Sequence, residues 1–314
     1  MSDYEPGYIR LCESGELSKR AEELASRLAS CDLCPRDCGA DRPAGELGEC
    51  QTGAAAEVSS HGPHFGEESP LVGTGGSGTI FFTGCNLACQ FCQNCDISQM
   101  GRGRAVSAEE LASIMLELQN AGCHNVNLVS PTHVVAQMVG AVALAAERGL
   151  RLPLVYNSGG YDSVETLGRL DGIVDVYMPD MKYSDDDAGL KYSGVRGYWK
   201  VNSAALREMH RQVGDLELDE TGVARRGLLV RHLVLPNATA GSREIVKFIA
   251  AELSCDTYVN IMDQYRPCYN AHNFHELSRR PTVAEMEQVF RWAAEEGLHR
   301  LDGRPRRGRV ALPW

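Results

Sequence analysis

The chain of 314 residues has no stretch approaching about eighteen uncharged apolar residues. Its first thirty residues are acidic and helical in pattern, without a basic segment followed by an apolar core. A membrane span and a secretory leader are both missing from the pattern, and the expectation is a cytoplasmic protein with no membrane partner. Basic residues are in deficit: 31 Lys and Arg against 42 Asp and Glu leave a net charge of −11. Binding to a phosphate backbone rests on clustered cations, so no nucleic-acid partner is expected. No internal sequence repeat is present.

Cysteine, by contrast, is abundant. Twelve cysteines in a small secreted chain would suggest a disulfide scaffold, but in a leaderless chain of this length they read as metal ligands or reactive thiols. A chain this long buries about three quarters of its unfolded surface, so metal is not needed merely to fold it. Seven of the twelve fall in two tight groups, Cys31, Cys34, Cys38 and Cys50, then Cys85, Cys89 and Cys92. Cys12, Cys95, Cys123, Cys255 and Cys268 are scattered.

Leu17, Ala21, Leu24 and Leu28 recur at helical spacing and predict an amphipathic helix running to Cys31. Residues 31–78 are rich in Gly, Pro and Cys, with little periodicity. Residues 1–74 are therefore read as an N-terminal helix and a Cys-rich, metal-binding appendage. From Gly78 onward short apolar strands alternate with amphipathic helices. Strands are expected at 78–84, 124–130, 152–157, 173–179, 227–235 and 256–262. Helices are expected near 107–121, 133–148, 163–170, 203–213, 242–253 and 282–296. Ser107 with Glu110, and Thr282 with Glu285, form capping boxes that satisfy orphaned backbone donors. Six strand–helix repeats imply a parallel sheet with right-handed crossovers, either an open doubly wound sheet or a partial barrel. Residues 299–314, with Arg300, Arg304, Arg306, Arg307 and Arg309, read as a basic, solvated tail.

Cys85, Cys89 and Cys92 stand at CxxxCxxC spacing directly after the first strand, a position that opens onto the ligand face of a parallel α/β fold. Three thiolates can each bind one iron of a cubane and leave the fourth iron open to a substrate. Four-cysteine zinc sites use two separated knuckles, which a single three-cysteine loop does not supply.

With Phe91 as the aromatic before the third cysteine, this loop resembles the CxxxCxΦC loop of the radical S-adenosylmethionine (SAM) superfamily. The string from Thr83 to Ser98 is similar to the pyruvate formate-lyase activating enzyme-like branch. The resemblance covers residues 75–298 and implies a partial (β/α)6 barrel with an N-terminal Cys-rich appendage. It implies that Cys85, Cys89 and Cys92 hold a 4Fe–4S cluster, beside Phe91, whose open iron is chelated by the amino and carboxylate groups of SAM. One-electron reduction then cleaves a carbon–sulfur bond, releasing methionine and a 5′-deoxyadenosyl radical that abstracts a hydrogen atom. It further implies an electron donor such as flavodoxin or ferredoxin, and a glycyl-radical enzyme as protein substrate. Radical chemistry on a small molecule or another protein side chain is the second reading. A non-enzymatic iron–sulfur or zinc protein is the third, and it would have no need of Asp180 and Lys182 beside the cluster.

On this reading, polar residues gather at the carboxyl ends of the later strands: Ser130-Pro131-Thr132-His133, Asn157 to Gly160, Asp180-Met181-Lys182, and Asn260 to Gln264. Asp180-Met181-Lys182 resembles the family's Asp-Leu-Lys segment, in which the lysine contacts the SAM carboxylate and the aspartate supports it. Arg231 sits in a strand that is otherwise buried on both faces and needs a partner, with Asp180 as its expected one. It resembles the arginine of the family's following strand, and Asn157 resembles a polar residue near the SAM ribose. His232 reads as a structural histidine. Where family members carry a Gly-Gly-Glu-Pro-like turn for the SAM amino group, this chain has Ser130-Pro131-Thr132-His133, whose hydroxyls accept hydrogen bonds without negative charge. The four N-terminal cysteines suffice for either a tetrahedral zinc site or a complete four-iron cluster, and spacing alone leaves both open.

Overall fold

The computed structural model describes residues 4–302, so Arg304, Arg306, Arg307 and Arg309 of the expected tail lie outside the described residues. Its strands are β1 (Ala56–His64), β2 (Ser77–Phe82), β3 (Arg104–Val106), β4 (Val126–Val129), β5 (Leu154–Ser158), β6 (Val176–Pro179), β7 (Glu217–Leu218), β8 (Ala224–Leu233), β9 (Tyr258–Met262) and β10 (Leu301–Asp302). They form one sheet in the order β10-β9-β8-β6-β5-β4-β2-β1-β3, with β7 beside β8. Every pairing from β2 through β10 along this path is parallel, while β1 and β3 add antiparallel ribbons at one flank. Successive parallel strands always lie on the same side of their predecessor. There is thus no point at which the order reverses, and the partial barrel is realised instead of the doubly wound sheet.

The helices are α1 (Tyr8–Glu13), α2 (Glu16–Ser26), α3 (Ser69–Val72), α4 (Cys95–Ser98), α5 (Ala108–Asn120), α6 (Val135–Glu147), α7 (Val164–Arg169), α8 (Asp186–Ser193), α9 (Tyr198–Val213), α10 (Ser242–Phe248) and α11 (Val283–Glu295). Helix α10 runs on into a π-helical turn, Ile249–Leu253. Both capping boxes are formed, with Ser107 Oγ accepting from Glu110 N and Thr282 Oγ1 from Glu285 N, each at 3.2 Å.

The two-residue period of the strands sorts their side chains onto two faces. Val126, Leu128, Leu154, Tyr156, Tyr177, Leu228, Val230 and Val259 join helix residues such as Met115, Val139, Leu206 and Ile245 in the main core. The alternate positions Val155, Val176, Met178 and Leu229 form a smaller cluster with Leu71 on the inner face. Two residues further along that face, the sequence places Asn157 after Val155, Asp180 after Met178 and Arg231 after Leu229. The barrel interior therefore changes from apolar to polar at one level, and that level is the floor of the site.

The 1–74 segment, expected as an appendage, contributes directly to this architecture. Leu17 and Leu24 are fully buried in the main core, Tyr8 donates from its hydroxyl to Leu152 O at 2.9 Å, and β1 pairs with β2. Strand β1 escaped the sequence reading because AEVSSHGPH buries little beyond Ala56 and Val58. Pro63 is tolerated there because β3 pairs only with residues 56–58, leaving the distal part of β1 without a second neighbour. The tail expected to begin at 299 likewise starts inside the sheet, where Leu301 and Asp302 pair with Val259 and Asn260.

Candidate active site

The cysteine loop leaves β2 at Thr83 and turns at Gly84, whose left-handed φ of 75° suits glycine. The carboxyl end of α8 pins the loop, since Ala88 N donates to Ser193 O at 3.0 Å and Gln90 N to Tyr192 O at 2.8 Å. Phe91 packs edge-on against Tyr265 and Tyr183, with ring centroids 5.7 and 6.3 Å away. The thiols have small polar neighbours: Leu87 N donates to Cys85 Sγ at 3.4 Å, Cys89 Sγ lies 3.0 Å from Ser193 Oγ, and Cys92 Sγ lies 3.1 Å from Ser98 Oγ. Burial and the neighbouring Cys89 push the Cys85 thiol up to about 12, and burial also raises Cys89 against the pull of Lys182. Thiols so desolvated become thiolates when a metal takes the place of the proton.

All three cysteines line a cavity of about 250 Å³ together with Phe91, Ser130, Asn157, Asp180, Lys182 and Arg231. The structure thus brings Phe91, Ser130, Asn157, Asp180, Lys182 and Arg231 together with the three cysteines. Asp180 is the hub. Its Oδ2 accepts from Lys182 Nζ at 2.6 Å and its Oδ1 from Arg231 Nε at 2.8 Å, and Arg231 Nη2 donates to Asn157 Oδ1 at 2.7 Å. Burial alone would raise the Asp180 carboxyl, but Arg231 and Lys182 outweigh it and hold it below the ordinary carboxylate range. Burial opposes the Lys182 charge, and Asp180 and Cys89 more than restore it. Asp180 is positioned by hydrogen bonds to its own carbonyl from Tyr198 Oη at 3.2 Å and Asn202 Nδ2 at 2.9 Å. Arg231 does not reach for solvent, and His232 is satisfied on both nitrogens, with Met181 O at 2.7 Å and Ser242 Oγ at 2.8 Å.

The turn after β4 is resolved into different tasks. Ser130 lines the cavity with a left-handed φ of 58°. Thr132 instead donates to Asp162 Oδ1 at 2.7 Å, so its hydroxyl is committed away from the cavity. His133 is buried, with Nε2 at 2.7 Å from Thr83 O. Gln264 and Ser98 also line the cavity, as does Glu67, which carries no sequence signal. Behind Arg231, Glu68 is buried and accepts from Asn260 Nδ2 at 3.0 Å, with Arg231 Nη1 3.9 Å away. Glu67 and Glu68 come from the loop before α3, which no periodicity or motif marks.

Residues 79–248 match the family model described as the radical SAM superfamily, and the chain belongs to that family. An uncharacterised protein of Methanocaldococcus jannaschii is 31% identical over 292 residues, covering 90% of this chain and 79% of the relative. A pyruvate formate-lyase-activating enzyme of Clostridium pasteurianum is 26% identical over 190 residues, 59% of this chain and 73% of that enzyme. The crystal structure of a radical SAM methyltransferase from Sphaerobacter thermophilus superposes with a TM-score of 0.49 at 19% identity, over 73% of this chain and 67% of that one. Family membership makes this a radical SAM enzyme, with the 4Fe–4S cluster and SAM that the family's reductive chemistry requires. Among the described residues no helix is long and apolar enough to cross a membrane.

Proposed function

We propose that Cys85, Cys89 and Cys92 ligate the 4Fe–4S cluster and that Lys182, Asp180, Arg231, Asn157 and Ser130 surround SAM. The observation that carries this reading is the shared cavity, in which three thiols face a buried ion-pair ladder. When bound, the cluster and SAM supply a one-electron cleavage that yields a hydrogen-abstracting radical.

The side chains of this chain bind and orient. Lys182 stays cationic throughout, because Asp180 holds its ammonium group, and it faces the cavity as the partner for a carboxylate. Asp180 shares its charge between Lys182 and Arg231, and Arg231 has Glu68 as a second carboxylate 3.9 Å away, so Lys182 is the cation left to draw an anion. Asn157, held by Arg231, keeps its amide oriented toward the cavity. Phe91 and the tyrosines behind it exclude water from the base of the loop.

For the substrate we favour a partner protein on which a glycyl radical is installed, with flavodoxin or ferredoxin as the electron donor. The Thr83–Ser98 string and the similarity to an activating enzyme support this choice. Radical modification of a small molecule or of another protein side chain is the second reading. It draws on the Ser130-Pro131-Thr132-His133 turn, which carries no carboxylate for the SAM amino group. Cys31, Cys34, Cys38 and Cys50 are read as ligands of a second metal centre. Anaerobically reconstituted, reduced protein is expected to convert SAM to 5′-deoxyadenosine and methionine, with the products separated by chromatography. Absence of 5′-deoxyadenosine from a fully clustered, reduced sample would overturn the assignment.

A further inference from the structure

We propose that Cys31, Cys34, Cys38 and Cys50 hold a second iron–sulfur cluster, built against the wall of the catalytic cysteine loop and on the path of the electron that enters it. The role of that neighbour rests on the reading of Cys85, Cys89 and Cys92 given above. Two turns create the site. Asp37 N donates to Cys34 O and Gly39 N to Cys31 O, each at 3.0 Å, folding the first three cysteines around one bend. Gln51 N donates to Gly48 O at 2.9 Å and brings Cys50 back to them. Gly48 is the close approach: a Cβ there would lie 3.2 Å from Cys50 Sγ and 3.5 Å from Cys38 Sγ. Cys31, Cys34 and Cys50 are buried and Cys38 is partly buried.

A second observation is independent of the cysteines. Arg42 is only 1% exposed, and its guanidinium donates through Nη1 to His133 O at 2.7 Å while its Nε has no partner. No carboxylate among the described residues pairs with it. An isolated buried cation is costly, and the group it does reach is Cys50 Sγ, 3.4 Å from Nη2. Its counter-charge is therefore supplied from the cysteine side, through Cys50, and four cysteines gathered there, three of them buried, would be held as thiolates by a metal. Among the described residues no three Cys, His, Asp or Glu side chains converge closely enough for one metal ion. Four cysteines supply one thiolate for each iron of a four-iron cluster.

Both residues flanking Cys85 touch this site. A Cβ on Gly84 would lie 2.6 Å from Cys50 O, and Arg36, two residues after Cys34, donates through Nε to Asn86 O at 2.8 Å. A one-electron donor protein would lose one electron to the N-terminal cluster, which would pass it to the cluster at Cys85, with no bond made or broken.

The test begins with the Cys85→Ala, Cys89→Ala, Cys92→Ala triple variant, purified anaerobically, in which SAM chemistry plays no part. About four irons and matching sulfide per chain, with a reducible electron paramagnetic resonance signal, are expected. Zinc alone, or no metal, overturns the proposal. A complementary variant with Cys31, Cys34, Cys38 and Cys50 all changed to Ser should halve the iron of the reconstituted protein, and unchanged iron overturns the proposal even if the triple variant fails to fold. In the fully reduced natural chain the two signals should be broadened by spin–spin interaction that vanishes in either variant. Simple addition of the two separate signals would overturn the placement on the electron path. Loss of 5′-deoxyadenosine formation bears only on the catalytic assignment, since the triple variant is judged by its metal.

Discussion

Asp180 bridges two cations, of which Arg231 has Glu68 as a further partner, so Lys182 is the one free to meet an anion in the cavity. Lys182→Ala should leave the cluster in place and weaken SAM binding by roughly 1.5–3 kcal/mol, the worth of a charge-assisted hydrogen bond. Anaerobic calorimetry with SAM measures this, and unchanged affinity would return Lys182 to a purely structural ion pair. Ser130 carries a different cost, since a left-handed conformation in a residue with a Cβ is unfavourable by roughly 1–2 kcal/mol. Ser130→Gly should keep stability within about 1 kcal/mol of the natural chain, the relief being offset by the greater freedom of unfolded glycine. The β-branched Ser130→Val should be clearly destabilising, and thermal denaturation of the pair decides. At His232, burial holds the ring neutral and lowers its pKa to about 4. The unfolded chain protonates near 6.5, so this histidine contributes stability that is complete above that pH and is lost as pH falls toward 4. The slope of stability against pH in that window should shrink in His232→Asn, as read by urea unfolding.

At the scale of elements, the capping box of α5 lies on an exposed turn, and Ser107→Ala should cost about 1 kcal/mol, measured by the same urea titration without change in SAM affinity. Elements of this kind were legible because their signals are local: a cap three residues from its partner, or an apolar run bounded by glycine. The six parallel strands β2, β4, β5, β6, β8 and β9 fall where alternation placed them, and the CxxxCxxC loop follows the first of them. What stayed illegible was set by tertiary partners. Strand β1 is mostly polar and exists because β2 offers it an edge. Helix α8, Asp186–Ser193, is short and weakly patterned, yet its carboxyl end anchors the cysteine loop. Glu67 and Glu68 reach the site region from a loop remote in sequence, and nothing local announces that.

For the whole molecule, the decisive feature is that one core spans the N-terminal helices and the barrel. Leu24 is fully buried in it, so Leu24→Ala should lower global stability by about 2–5 kcal/mol. A single cooperative transition followed by both far-UV circular dichroism and tyrosine fluorescence is expected, whereas a barrel transition unmoved by this change would mark residues 1–74 as an independent unit. One continuous segment, residues 180–193, begins with the Asp180–Lys182 pair and ends with Ser193 against Cys89 Sγ. On the proposed assignment, the residues for SAM and the support of the cysteine loop lie in one cassette. A chimera that exchanges Lys182 with its surroundings but leaves α8 behind would separate two halves of the same fitting, so grafting from a relative has to carry the whole segment across together.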